Sequence, residues 1–435
     1  MTERNNHMIG KQSIEMSFEG LDEVIGVQNK ISELFYERLQ PMMETLFDEL
    51  YGDRYFVSIE RLEIDCGVLD QKNWEDEFAI QMMRKLREEL LTIPKKRIEK
   101  NDEAEAARAD FFFYIENGHL PWNSRVKDLA AMELLLKPDR ALVIGLRQLI
   151  AQHEKLVKRL INSFSESFIA QLIALMTEGK EPEMKAIKLL IEQAALSTID
   201  RRQINAGTLI AFAQAEEDSK EVFISWLMRN EVVKDMEAKK ILAQESEAGV
   251  TRLKKPLSPM PAATKAKKEA ESIYIANAGL ILLHPFIPAL FERLKFTEGK
   301  EWKGDEEQNK AVCVLNYLVS GNEDQQEIEM VLPKLLCGMK IDEVVVRTEL
   351  TDEIRYECED LLKSVITHWR VLKNTSIGGL RETFLQREGK LSKTDNGWLL
   401  QVEQKAVDVL LAHLPWGISI VKLPWMEGML YGEWS

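Results

Sequence analysis

With 435 residues and 45% hydrophobic content, the chain is long enough for two to four domains with genuine cores, which excludes disorder throughout. The 57 basic residues are outnumbered by 72 acidic ones, a net charge of −15, and this balance speaks against general affinity for nucleic acid or an anionic membrane. The fold class that the patterning supports is α+β, predominantly α-helical. It divides into a small mixed N-terminal domain (1–100), a helical middle (104–247), a basic Pro-containing linker (250–270) and a mainly helical C-terminal domain with a β-hairpin (271–435).

In the first hundred residues, Ile14, Met16 and Phe18 alternate with Ser13, Glu15 and Ser17, the two-residue period of a half-buried strand. The period then becomes helical through Leu21, Val24, Ile31, Leu34, Phe35 and Leu39. Pro41 suits the first turn of a new helical segment carrying Met42, Met43, Leu46, Phe47 and Leu50. Residues 55–69, "YFVSIERLEIDCGVL", read as a strand whose inward parity switches between Ile59 and Leu62, so a bulge is expected near Glu60-Arg61. Trp74, Phe78, Met82, Leu86 and Leu90 mark an amphipathic helix, followed by a polar exit over 92–103.

From Ala104 to about Gln244 every periodic signal is helical, in short pieces separated by Gly118, Pro121, Pro138, Gly179 and Pro182. The stripes are Leu129, Met132, Leu135, Leu136; then Val143, Leu146, Leu149, Ile150; then Leu156, Leu160, Ile161, Phe164. Short helices with short connections pack as antiparallel neighbours or an array, and no fixed period names a repeat family. The stretch 250–270 contains Pro256, Pro259 and Pro261 and is locally basic. It reads as a solvated tether or, with Lys254 and Lys255, as a contact strip for an acidic partner surface.

The C-terminal domain has a helix over about 352–372, with Thr351 as N-cap and Asp352 and Glu353 complementing its dipole. In "KLSKTDNGWLLQVE", Asn396-Gly397 between two extended runs is a hairpin signal, and Trp398, Leu400 and Val402 share a face of its second strand. A helix through Val407, Leu410 and Leu411 leads to "LPWGISIVKLPWM", where Leu-Pro-Trp occurs twice; a third copy is Leu120-Pro121-Trp122. Proline stops the preceding helix and the ring covers its end, so Trp416 and Trp425 are expected to close the core, with partner binding as the alternative for both. Ile418, Ile420 and Val421 between them read as a buried strand. Trp434, near few apolar residues, is expected to touch a partner.

The search for chemistry finds no nucleophile elbow and no phosphate loop, and Gly378-Gly379 reads as a helix start after Ser376. The six histidines never stand at metal-ligand spacing, and His284 is expected to cap a helix starting at Pro285 or to meet a partner's carboxylate. Cys66, Cys313, Cys337 and Cys358 form no C-x-x-C pair, which fits reduced, mostly buried thiols. The polar N-terminus has no signal-peptide core. The most apolar run, "AGLILLHPFIPALF", is interrupted and too short to span a bilayer, so a cytoplasmic protein without membrane segment, cofactor or metal is expected.

"NAGLILLHPFIPALFERL" (277–294), "LPKLLCGM" (332–339), "KNTSIGGLRETFLQREGKL" (373–391) and "LPWGISIVKLPWM" (414–426) together resemble the C-terminal domain of the tape measure proteins of bacterial contractile injection systems. "HMIGKQSIEMSF" followed by "IERLEIDCGVL" resembles the start of that family. The resemblance implies a non-catalytic structural protein of phage-tail-like particles that helps fix inner-tube length. Its implied partners are inner-tube and baseplate or hub proteins, with a homo-oligomer also allowed, and no catalytic residues carry over. A ruler of 435 helical residues would reach about 650 Å at ~1.5 Å per residue. The breakers prevent that span as the chain stands, so the ends are expected to anchor while the middle, held weakly by its own contacts, extends. A compact assembly factor or chaperone for tube or baseplate subunits is the other reading, and a delivered hydrolytic enzyme is a third that lacks any convergent site.

Overall fold

The computed structural model describes residues 9, 12, 14–17, 30, 31, 33–51, 55, 56, 59, 61–69, 73–93, 96, 97, 100–124, 126, 128–194, 196, 200–215, 218–247, 272–323, 326–372 and 374–434. The chain is predominantly α-helical with a β part, and it divides into two compact units, Met1–Glu105 and Ala106–Ser435.

In the first unit a π-helical turn, Phe35–Leu39, runs directly into α1 (Gln40–Leu50), with Pro41 in its first turn. α2 (Trp74–Thr92) starts with Glu75, Asp76 and Glu77, whose charges favour the positive end of the helix dipole. The spacing by four that marks α2 in the sequence becomes its buried face: Phe78, Met82, Leu86 and Leu90 pack with Leu39, Met43 and Leu46. The Tyr51 hydroxyl donates to the Leu90 carbonyl at 2.9 Å. The strand expected over 55–69 is corrected. Among the described residues only β1 (Tyr55–Phe56) pairs, with β2 (Lys96–Arg97) in the stretch read as a polar exit. Of the even-parity positions only Ile64 and Cys66 turn inward against the core, while Leu62 is exposed and Val68 fully so. Residues 14–17 likewise carry no strand, although Ile14 packs on the core; Phe18 and residues 21–29 lie outside the described set.

The second unit begins with an array of short helices: α3 (Lys100–Asn117), α4 (Leu129–Leu135), α5 (Arg140–Gln152), α6 (Leu156–Ser163), α7 (Glu166–Met176), α8 (Glu181–Gln193), α9 (Arg201–Gln214), α10 (Ser219–Arg229) and α11 (Met236–Glu247). Their starts are set by side-chain caps. Asp128, Asp139 and Ser165 accept from the backbone N–H groups of Ala131, Leu142 and Phe168 at 2.7, 2.8 and 3.2 Å. All three expected stripes face one core, and α9 is its axis: every residue from Ala206 to Ala213 is buried, with α5, α6, α7 and α10 packed around it. A helix apolar on all sides needs neighbours on all sides. Gly207 lets α10 approach closely, since a methyl there would stand 2.9 Å from the Phe223 ring. The middle is therefore a packed bundle about a buried helix, not the loosely held segment expected from its breakers.

The rest of the unit is a mixed module. It contains β3 (Ser272–Ile275), α12 (Ile287–Arg293), the short pair β4 (Thr297–Glu298) and β5 (Glu301–Trp302), α13 (Asp305–Ser320), α14 (Val331–Leu336), α15 (Asp352–His368), α16 (Ile377–Leu380), β6 (Gly389–Thr394), β7 (Gly397–Val402), β8 (Ile420–Val421) and β9 (Met429–Glu433). One sheet runs in the order β3-β6-β7-β9-β8, antiparallel except for β7 with β9. Ile273, Leu391 and Leu400 lie in register across three strands, forming an inner face on the core around α13, where Ala311–Val319 are all buried. Thr351 caps α15 through the Ile354 amide, and Ser376 caps α16 through the Gly379 amide, both as the sequence indicates.

The expected hairpin is β6–β7, with its turn one residue earlier: Thr394 pairs with Gly397 around an Asp395-Asn396 loop. Gly397 takes a φ of 141°, and a Cβ there would overlap the Met429 carbonyl of β9, so this glycine serves the sheet as much as the turn. Two further expectations are corrected. The helix through Val407, Leu410 and Leu411 is a 3-10 helix, Ala406–His413, in which no residue is fully buried. β8 is an edge strand with Ile420 exposed and only Val421 buried.

Candidate functional site

The most unusual chemistry in the second unit is a cluster of buried charges. α3 ends at Gly118, whose φ of 77° closes the helix and whose amide donates to the Tyr114 carbonyl at 2.8 Å. On α6, Arg159 lies three residues after Leu156 and so on the face that carries Leu156, Leu160 and Ile161 into the core. Its side chain is 0% exposed. Glu327 opens a short 3-10 helix, Glu327–Met330, and Lys334 sits in α14.

Arg159 grips Glu327 in a bidentate pair, Nε to Oε2 and Nη2 to Oε1, both at 3.0 Å. Its remaining donors reach the carbonyls of Ile115 and Asp342, at 2.5 and 2.8 Å. Lys334 Nζ donates to Glu327 Oε1 at 2.6 Å and to the Ile341 carbonyl at 2.9 Å, and the Val345 amide points to the same carboxylate oxygen at 3.4 Å. Gly118 leaves the room for this: a Cβ there would lie 2.8 Å from Arg159 Nη2 and 3.1 Å from Lys334 Nζ.

Two cations and one anion leave this node with one excess positive charge. Burial lowers the Lys334 pKa, and the charge and hydrogen bond of Glu327 oppose that shift. Burial also raises the Tyr114 phenol well above its usual range, and the Glu327 charge adds to this. The Tyr114 hydroxyl shares a 2.6 Å hydrogen bond with Ser163. Both carboxylate oxygens are engaged and the three side chains are out of solvent, so the arrangement holds elements together and presents no open position to a substrate.

A second ionic group fixes the C-terminus. Arg387, fully buried, donates to the carbonyls of Thr383 and Glu403 at 2.7 and 3.1 Å and pairs with Asp408. Trp434 lies beneath it, with the guanidinium carbon 5.6 Å from the ring centroid, and its indole N–H donates to Asp408 at 3.1 Å. The Lys405 amide completes the carboxylate at 2.8 Å.

Trp434 is thus 4% exposed, which corrects its expected position away from apolar neighbours: β9 carries the ring back over the core. Trp416 and Trp425 are partly buried lids whose indole N–H groups donate to the Leu282 and Leu336 carbonyls at 3.0 and 2.6 Å. Trp425 also packs on Trp302, with ring centroids 4.8 Å apart. In the third copy Leu120 packs inward while Trp122 is exposed. Lys254 and Lys255 lie outside the described residues. His284 does not cap a helix starting at Pro285. Its Nδ1 contacts the Ile281 carbonyl of the preceding turn at 2.9 Å, and α12 begins three residues later.

A family model described as contractile injection system tape measure protein matches residues 6–434. The chain belongs to this family. No curated protein and no solved structure matches it. In this tape measure family member the match spans the N-terminal unit, the helical array and the sheet module alike. Among the described residues no helix is long and apolar enough to cross a membrane, and no group of three or more His, Cys, Asp or Glu side chains is placed to hold a metal ion.

The node escaped sequence reasoning because Arg159 lies 168 residues from Glu327 along the chain. Two had a local signal: Arg159 lies within an apolar stripe, and Lys334 is flanked on both sides by apolar residues in "VLPKLL". Glu327, in "QQEIEM", had none.

Proposed function

We propose that this chain is a non-catalytic structural protein of a contractile injection particle that takes part in setting inner-tube length, acting in the cytoplasm during assembly on inner-tube and baseplate or hub proteins. The observation that carries the reading is the family match over 6–434, which leaves no large segment for an unrelated activity. The helical array supports it in composition, since the nine helices among the described residues 100–247 hold enough chain to span a long distance at ~1.5 Å per helical residue. Because Ala206–Ala213 of α9 are buried, spanning would be a second state, reached when tube or hub subunits take over contacts that the bundle now makes within itself.

The test is a series of in-frame deletions and insertions within 125–245, with particle length measured by electron microscopy. Length that tracks the number of residues supports the reading. Unchanged length in intact particles that retain the variant protein removes the ruler role. Absence of the protein from purified uncontracted particles, with binding to subunits in lysate, would assign it instead to a compact assembly factor.

A further inference from the structure

The second unit contains two apolar cores that do not merge. One runs through residues 107–242 of the helical array and the other through 273–434 of the sheet module. Among the described residues, Ile328 is the one hydrophobic side chain of the sheet module that packs against the array core. What crosses the join is polar. Arg159 of α6 holds Glu327 and the Asp342 carbonyl, and the Leu129 amide donates to Gln326 at 3.3 Å. An open groove of about 490 Å³ on the array, lined by Leu134, Phe168 and Ser165 among others, reaches the join at Gln326.

This division of labour has a physical consequence. Separating two halves that share an apolar core exposes that core, a cost that scales with the area uncovered. Separating them at a buried ion cluster exposes charges that water solvates strongly, so the desolvation penalty carried in the closed state is recovered on opening. The closed state is nevertheless specific, because Glu327 is the single anion between two cations. We infer that the Arg159–Glu327–Lys334 node is a reversible latch, whose release lets the helical array part from the sheet module while both cores stay folded. This rests on the proposed spanning role and deepens it: the first lengthening step would be parting at the node, ahead of any unpacking around α9.

The latch is tested on the full chain in solution, apart from any particle, so that its failure is separate from failure of the length-setting role. Hydrogen exchange and small-angle scattering are measured for the wild type, Glu327→Gln and the apolar triple variant Arg159→Met, Glu327→Leu, Lys334→Met. Glu327→Gln leaves two buried cations without a counter-charge. Peptides covering Leu129 and Val345 should then lose roughly two to nearly four powers of ten of protection, the size expected for breaking a buried pair, and the radius of gyration should rise. Peptides covering Ala206–Ala213 and β7 should keep wild-type protection. The triple variant should stay closed, with protection at or above wild type, because apolar replacement of a whole buried ion cluster is neutral or stabilising. Unchanged protection at Leu129 and Val345 in Glu327→Gln would overturn the inference. So would loss of protection at Ala206–Ala213 or β7 in step with the join, or a triple variant as open as Glu327→Gln.

Discussion

Replacing Trp434 by Ala near the end of the chain should destabilise the whole sheet module. The ring is 4% exposed, lies under the Arg387 guanidinium and donates its N–H to Asp408 at 3.1 Å. Truncating a buried tryptophan to alanine costs about 3–5 kcal/mol in lost burial and residual cavity. Here that includes a hydrogen bond to a charged acceptor, a class worth about 1.5–3 kcal/mol. At about 1.36 kcal/mol per tenfold change, the opening equilibrium of the module should rise by two to nearly four powers of ten. Trp434→Phe separates the terms. It keeps a ring under Arg387 while losing the N–H and part of the indole, and Asp408 still accepts from Lys405 and Arg387, so its cost should fall below that of Trp434→Ala, to about 1–3 kcal/mol. The assay is amide exchange across β7 and β9, together with denaturant midpoints for wild type and both variants. A Trp434→Ala protein within about 0.5 kcal/mol of wild type, the range of ordinary surface substitutions, would refute the buried pin.

Gly397→Ala should separate β9 from β7, since it combines a φ of 141° with a Cβ that overlaps the Met429 carbonyl; a loss of more than about 2 kcal/mol, read as lost amide protection in β9, is expected, and wild-type protection would reject it. Cys313, Cys337 and Cys358 are buried with thiol pKa values raised mainly by burial, Cys358 to about 12, so native iodoacetamide labelling followed by mass spectrometry should modify the partly exposed Cys66 first. Labelling of Cys358 ahead of Cys66 would contradict this packing. Burial lowers the His284 pKa below 6.5, so between the lowered value and 6.5 the unfolded chain holds the extra proton. Its contribution to stability is complete above about pH 6.5 and is lost as pH falls through that window. His284→Asn should flatten that part of the stability profile, and an imidazole midpoint above 6.5 by NMR would reverse the sign.

Elements whose burial follows from near neighbours in the chain were legible. The face Phe78, Met82, Leu86, Leu90, the three stripes of the array, the Thr351 and Ser376 caps and the β6–β7 hairpin all depend on residues close together in the chain, and all are present. The strand expected over 55–69 failed because alternation specifies a face but not a partner: Ile64 and Cys66 turn inward without any strand beside them. The 3-10 helix at Ala406–His413 has helical apolar spacing, yet it stays at the surface because the sheet fills the core beneath it.

Sequence by itself determined the family, the helix-rich composition and the buried faces, because periodicity and motif order are local properties of the chain. Tertiary structure alone decided that Arg159 meets Glu327 across 168 residues, that Trp434 is covered by Arg387, and that α9 is surrounded on every side. The physical reason is that a charge or ring changes character with the dielectric and the partners around it. Those are supplied by segments whose approach no local pattern encodes.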